Sequence, residues 1–447
     1  MLNRLLKKEL FLVIWCIVAA FGVYFCTYAF RKPFNAGLYE GFALFGVGYK
    51  TVLIISQMLG YVISKFWAIK FVSKLNPAKR IFFIVLLVAL SETALIGFGI
   101  VPYPYNFMFM FLNGLPLGFI YGIIFSFLEG RRFTEMLSIG LSISMIIGSG
   151  ILKSTYFSIK HFLNVSEFWM PAVEGLVFAV PFIFFVWMLS KIPAQTQKDM
   201  KEREARTPMK KTDRRNLLGA FGIGIFGIVF INALLTVIRD FRDDFMVEIT
   251  SSIGIANSQS IFSKIEFFIG IFVLVSIGLL SFIRSNKKSF AMMHGIIFGG
   301  LCLMMVSSAL YLNHIISPLI WFISLGCGIF LAYITIQSVY FDRFIAVFRP
   351  KGNAAYMICI SDTAGYSCTI MLLVYREFFA TSVSWANVLI YLSFFVGGGG
   401  ILSLIVSALY FYRKAVIKEI RVTYMKHMRR IIGSNKAYPS DLMFNNK

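Results

Sequence analysis

The chain has 447 residues, 58% of them hydrophobic and only 14% charged, with a mean hydropathy of +0.77. A soluble protein carries about a quarter charged residues, so most of this surface faces lipid and a soluble globular fold is excluded. The net charge of +22 sits in the connectors between apolar runs, where it reports topology rather than nucleic-acid binding.

Counting runs of about 20 apolar residues as spans, the sequence predicts twelve. They lie at 9–31, 46–70, 81–101, 106–128, 135–158, 168–190, 216–239, 258–283, 289–312, 315–341, 353–375 and 385–412. Residues 1–10, MLNRLLKKEL, resemble the charged start of a signal peptide. The run behind them is too long and lacks a small-residue cleavage site, so it is expected to stay as the first span.

At the end of that span, YFCTYAFRKPF (24–34) puts Tyr24, Tyr28 and Arg31 at i, i+4 and i+7, on one helical face. Lys32 points about 100° away and reads as an interface anchor. Lys65 lies about 7 Å from the inner edge of the second span by helical rise; it either snorkels inward or faces a site. Lys153 sits at membrane depth in the fifth span.

Residues 193–215 form the long basic break between six spans and six, so the expected units are 1–192, a linker at 193–215, 216–412, and a tail at 413–447. In the seventh span Asn232, Thr236 and Arg239 repeat the i, i+4, i+7 stripe 208 residues on. An arginine inside a bilayer costs about 2.5–3.5 kcal/mol, which a wet cavity relieves. Two arginine-tipped stripes therefore point to an anion site shared between related halves. The following cluster RDFRDDF (239–245) reads as mostly solvated rim, with Asp240 about 100° round the helix from Arg239.

Lys264 and Glu266 in the eighth span fall on opposing faces, so each needs a partner elsewhere, as does Asp362 in the eleventh. Basic connectors after even-numbered spans place both termini in the cytoplasm. The tail segment 411–433 is a candidate basic amphipathic helix on the inner leaflet. The six cysteines lie in apolar runs and read as packing residues. No catalytic motif or metal-ligand spacing is present, so neither an enzyme nor a cofactor or metal is expected.

The expected fold is all-α, with twelve transmembrane helices in two pseudo-symmetric six-helix bundles, the layout of the major facilitator fold. The segment around Tyr24, Tyr28, Arg31, Lys32 and Phe34 resembles the first span of the organophosphate:phosphate antiporters of that superfamily. So do Asn232, Arg239, Asp244 and Phe245 in the seventh span, Ser64-Lys65-Phe66, and Asn76-Pro77. Two positions depart from that pattern: Met145 stands where the family has a histidine, and 73–80 lacks its usual acid. The resemblance implies exchange of a phosphate monoester for inorganic phosphate in a divergent bacterial branch. It implies that Arg31 and Arg239 clamp the phosphoryl group while Tyr24 and Tyr28 donate to it and Lys65 and Lys32 add field. It also implies an ion pair between Glu266 and a cavity lysine, which is either fixed or opens with transport. The expected partners are a small anionic substrate and the lipid bilayer of the inner membrane, with the chain acting as a monomer. Proton-coupled symport of a carboxylate, with Glu266 or Asp362 titrating, stays open, as does a sugar-phosphate sensor.

Overall fold

In lipid, every backbone N–H and C=O must find an internal partner, so long apolar runs become helices. The computed structural model describes residues 2–128, 134–193, 211–255, 260–283, 285–350, 354–379 and 383–432. Its first six long helices are α1 (Leu2–Ala29), α2 (Tyr49–Lys74), α3 (Arg80–Ile100), α4 (Phe107–Leu128), α5 (Thr134–Leu163) and α6 (Met170–Ser190). The second half begins with α7 (Lys211–Asp244), a short α8 (Met246–Ser252), α9 (Ile261–Gly278) and α10 (Asn286–Leu312). It continues as α11 (Pro318–Thr335), a π turn (Ile336–Tyr340), α12 (Phe341–Phe348), α13 (Ala354–Phe379) and α14 (Trp385–Ile432).

Twelve of these stretches are long and apolar enough to cross a membrane, the tenth running through the π turn as Pro318–Phe348. They follow the twelve expected spans closely. The seventh runs on to Asp244 instead of stopping at 239, because its acids are buried rather than solvated. The expected tail helix is continuous with the last span as a single helix to Ile432. Most of the expected linker (194–210), and residues 433–447, lie outside the described residues.

Within the first half, α1 packs on α5 and α6, α2 on α4, and α3 on α4 and α6. Within the second, α7 packs on α13 and α14, α10 on α11 and α14, and α9 on α11. The halves meet along α5 with α9 and α2 with α13. This is the two-bundle arrangement of the major facilitator fold.

Between α1 and α2 the chain turns through a 3-10 segment (Pro33–Ala36) and a hairpin, β1 (Ala43–Leu44) with β2 (Val47–Gly48), paired Ala43 to Gly48 and Leu44 to Val47. Phe45 and Gly46 at its tip both have positive φ, 57° and 75°, as a primed two-residue turn demands.

The packing of α2 on α4 fixes the end of α1. A Cβ added at Gly60 would stand 2.3 Å from the Phe111 carbonyl oxygen, and one at Gly114 would stand 2.2 Å from that of Gln57. Small residues thus let the two backbones touch. That contact holds Gln57 and Asn113 together, with the Gln57 amide donating to Asn113 Oδ1 at 2.7 Å. Gln57 also donates to the Arg31 carbonyl at 2.5 Å, and Asn113 to the Phe30 carbonyl at 2.9 Å. Carbonyls at a helix end lack intrahelical donors, so these two buried amides cap α1 and set where Arg31 projects. We predict that Gly114→Val lowers stability by about 1–3 kcal/mol through overpacking, read by thermal unfolding in detergent. Gly398→Ala, which meets nothing within 4 Å, should be neutral; equal effects would refute the close crossing.

Candidate functional site

Arg31 leaves the end of α1 and is only 6% exposed. Its guanidinium lies 4.2 Å from the Tyr61 ring centroid and 5.7 Å from that of Tyr366, and it donates to the Tyr366 hydroxyl at 3.3 Å. Among the described residues no carboxylate lies within 4.0 Å of it. Aromatic faces carry negative potential and stabilise the cation without neutralising it.

Arg239, on α7 in the other bundle, faces the same tyrosine: its guanidinium lies 5.8 Å from the Tyr366 centroid and 4.2 Å from that of Tyr333. Unlike Arg31 it is tied to a carboxylate, donating through Nε and one terminal nitrogen to Asp240 Oδ1 at 2.9 and 2.6 Å. The sequence leaves open whether Asp240, about 100° away round the helix, neutralises Arg239. The long arginine stem folds back and closes that gap. Asp240 Oδ2 is buried with no hydrogen-bond partner among the described residues.

A third cation joins them. Lys65 Nζ bonds Asp362 Oδ2 at 2.7 Å across the bundle interface, with the Tyr61 ring centroid 5.2 Å away. Lys65 therefore faces the site rather than snorkelling. Asp362 Oδ1 accepts from Gln337 in the π turn, whose neighbour Ser338 meets Ser142 of α5 at 2.8 Å. A π turn re-aims side chains within a helix and often marks a working site. Tyr24 and Tyr28 are buried alongside, their rings 5.7 Å apart, with Tyr24 5.3 Å from Tyr121.

Two residues of the second stripe sit differently. Thr236 donates to the Asn232 carbonyl at 2.7 Å, and a Cβ added at Gly365 would stand 2.6 Å from its side chain, so it seats α7 on α13. Asn232 is fully buried, and neither side-chain atom has a partner among the described residues.

A second set of charges lies toward the end of the molecule away from the chain termini. Lys32 pairs with Asp244 and, at 3.9 Å, with Asp243. Lys153 bonds Asp243 at 2.6 Å, Asn35 donates to Asp244 at 2.7 Å, and Lys50 meets Glu248 at 2.6 Å. In each ion pair the base belongs to the first bundle and the acid to the second. Burial alone would pull the Lys32 ammonium down; Asp244 and Asp243 outweigh it and hold it above the ordinary lysine value. Lys32 is thus an interbundle tie rather than a membrane anchor. The RDFRDDF cluster is a buried latch rather than a solvated rim, with Asp240, Arg242 and Asp244 at most 3% exposed.

Glu266 pairs with Arg242 at 2.7 Å inside its own bundle, both 1% exposed, and Arg242 lies 4.2 Å from the Phe322 ring centroid. No cavity lysine is involved. Lys264 is exposed. A groove of about 620 Å³ between α7 and α14, lined by Gly222, Phe226, Phe230, Leu402 and Val406, carries no charge and lies apart from these groups. Among the described residues no group of three His, Cys, Asp or Glu is placed to hold a metal.

Sequence reasoning missed Tyr61, Tyr333, Tyr366 and Gln337. A signal was present: Tyr61 with Lys65, Tyr333 with Gln337, and Asp362 with Tyr366 are each an i, i+4 pair of a tyrosine with a charged or amide residue inside an apolar run.

This combination of twelve spans, two bundles and buried charge between them has the architecture of the major facilitator fold. Residues 33–414 match the model of a family of unknown function, DUF5690, and the chain belongs to that family. A search of curated proteins found no match. Among solved structures, the chain is similar to the POT family transporter PepTSo, at 13% identity and a TM-score of 0.59, over 91% of this chain and 98% of that one. It is also similar to a point mutant of a POT peptide transporter in complex with alafosfalin, at 14% identity and a TM-score of 0.57, over 90% and 94% of the two chains. An auto-inhibited POT family peptide transporter aligns at 12% identity and a TM-score of 0.56, over 90% and 97%. The family match and these neighbours overturn the kinship with organophosphate:phosphate antiporters inferred from a few short segments. At such identities the neighbours establish the fold.

The Lys65–Asp362 pair generates a test. Lys65→Gln or Asp362→Asn alone leaves its partner charged and buried, and each should cost about 3–5 kcal/mol. The double replacement Lys65→Met with Asp362→Leu should recover most of that loss in thermal unfolding. Additive losses would show that the two charges do not depend on each other.

Proposed function

We propose that this chain is an alternating-access transporter of a small solute bearing one carboxylate, with an amino group as its second handle. The observation that carries the reading is Arg31, a buried guanidinium held by tyrosine faces with no acid beside it among the described residues. The other two site cations are answered, Arg239 by Asp240 and Lys65 by Asp362. That leaves Arg31 as the site cation without a carboxylate of its own among the described residues, and a solute carboxylate would supply one. A guanidinium also suits a carboxylate's bidentate geometry. Asp240 Oδ2, a buried acceptor with no partner, suits an ammonium across the tyrosine cluster from Arg31. The POT neighbours are described as peptide transporters, and peptides carry this pair of termini.

Arg31, Tyr24, Tyr28, Tyr61 and Tyr366 line the anion end in this reading, and Arg239, Asp240 and Tyr333 the other. The Lys65–Asp362 pair is the interbundle contact that the solute perturbs. All these groups come from one chain, which supports a monomer as the working unit. Both termini are cytoplasmic in the inner membrane, as the basic connectors indicate. The Lys32, Lys50 and Lys153 latch then closes the outer side.

Ligands that bind the folded state raise its unfolding temperature with occupancy. In a thermal-shift screen of the purified chain, short peptides and amino acids should stabilise more than phosphate esters or inorganic phosphate. Arg31→Lys should weaken the best ligand by about 1.5–3 kcal/mol, the worth of a hydrogen bond to a charged group, since lysine lacks the planar fork. Stabilisation by phosphate esters alone, or an unchanged affinity in Arg31→Lys, would overturn the proposal.

A further inference from the structure

One buried acid of the first bundle takes no part in the site or the latch. Glu174, near the start of α6, is fully buried, and neither of its carboxylate oxygens has a hydrogen-bond partner among the described residues. An ionised carboxylate without donors in a dry interior is far too costly to persist, so the side chain is held as the neutral acid. The charged or titratable groups around it come from three elements. Lys153 and Tyr156 on α5 act on it electrostatically, and the Tyr156 hydroxyl is itself buried without a partner among the described residues. Glu92 on α3 abuts the next residue along, Gly175, where an added Cβ would stand 2.1 Å from its Oε2. Glu167, in the turn before α6, acts on Tyr156 from the other side.

Lys153 is the cation among these groups, and it is engaged elsewhere. It reaches across the bundle interface to Asp243 at 2.6 Å, braced by Ser149 at 2.6 Å. If the bundles part at this end, Asp243 leaves with α7 and Lys153 loses its carboxylate from the second bundle. Glu174, on a helix packed against α5 in the same bundle, is a buried acid with no partner among the described residues whose charge and that of Lys153 act on each other.

We propose that Glu174 is a proton-binding site that sets the latch, with Lys153 as a two-position switch between Asp243 and Glu174. In the closed latch Lys153 pairs with Asp243 and Glu174 holds its proton. In the open latch the Glu174 O–H bond breaks, the proton passes to water on the outer side, and the carboxylate pairs with Lys153. Each opening releases one proton and each closure takes one up, so acid on that side favours the closed latch and alkali favours the open one. The sign follows from counting: the closed state binds one more proton. The switch extends the transport reading by adding a regulator, and it needs only that the two bundles separate.

Spin labels on Glu40→Cys and Ser252→Cys, exposed residues of the two bundles at this end, would report the separation in a full-length chain whose native cysteines are replaced. The distance distribution should shift to longer values as pH rises. In Glu174→Gln, an isosteric and permanently neutral variant, that pH response should be lost and the closed distance retained. In Glu92→Gln the response should remain. Infrared spectra of the closed protein should contain carboxylic-acid carbonyl absorption that loses intensity in Glu174→Gln and keeps the share due to Glu92, whose two oxygens are likewise buried without a partner among the described residues. A wild-type pH response in Glu174→Gln, or an infrared band unchanged by that substitution, would overturn the proposal. A pH-dependent distance in a protein that binds and moves no solute would leave the switch standing and refute the transport reading alone.

Discussion

A charge inside a bilayer costs several kilocalories per mole unless something answers it, and in this chain four buried lysines are answered from the opposite bundle. Lys65 finds Asp362, Lys32 finds Asp244, Lys153 finds Asp243 and Lys50 finds Glu248. Each pair joins a base of the first half to an acid of the second. Replacing such pairs by packed apolar groups is often neutral or stabilising, so stability alone does not explain them. Their use is that the bonds closing the molecule are also the ones able to open it. A hydrophobic interface of equal area would hold the bundles together without offering water anything to take up when they part.

The two arginine stripes are related in sequence and differ in surroundings. Arg239 has its own carboxylate one residue on, whereas Arg31 has tyrosine faces and a rigid backbone anchor. The anchor originates two helices away, in the glycine contact between α2 and α4 that presents Gln57 and Asn113 to the end of α1. The capped helix end fixes where the Arg31 backbone sits, and its guanidinium meets the Tyr61 and Tyr366 rings there.

The spans were legible in the sequence because twenty apolar residues in a row have few fates in a fold. The ionisable residues at membrane depth were legible for the converse reason: Arg31, Lys65, Lys153 and Asp362 each stand out against their apolar background. Their partners were not legible, since pairing across bundles depends on which helices meet and periodicity speaks only within one helix. Asp240 shows the limit inside a single helix. Angular position about the axis leaves its pairing with Arg239 open, and the three methylenes of the arginine stem close it. The acids of 239–245 were misplaced at the rim because a dense charged cluster ordinarily marks solvent, and here it faces an equally dense set of lysines. Kinship was misread from short matches for a related reason. An arginine with tyrosines at helical spacing is a solution that membrane physics offers to many anion-handling folds, so it carries little ancestry.

The two layers of charge do not face the same energetics when they separate. Opening the latch brings water to Lys32, Asp243, Asp244, Lys50 and Glu248, and hydration returns much of what the broken pairs lose. The Lys65–Asp362 pair lies beside the tyrosine cluster, where its ends are held by Gln337 and the Tyr61 face rather than by solvent. On the proposed transport reading, a group that competes for Lys65 or Asp362 from inside the site would release it. The latch would then respond to the medium at one end of the molecule, and the Lys65–Asp362 pair to what occupies the site. A protein in which both layers were equally hydrated would leak, and one in which both were equally dry would not open. The π turn that aims Gln337 at Asp362 ties the second layer to the tyrosine cluster rather than to the latch.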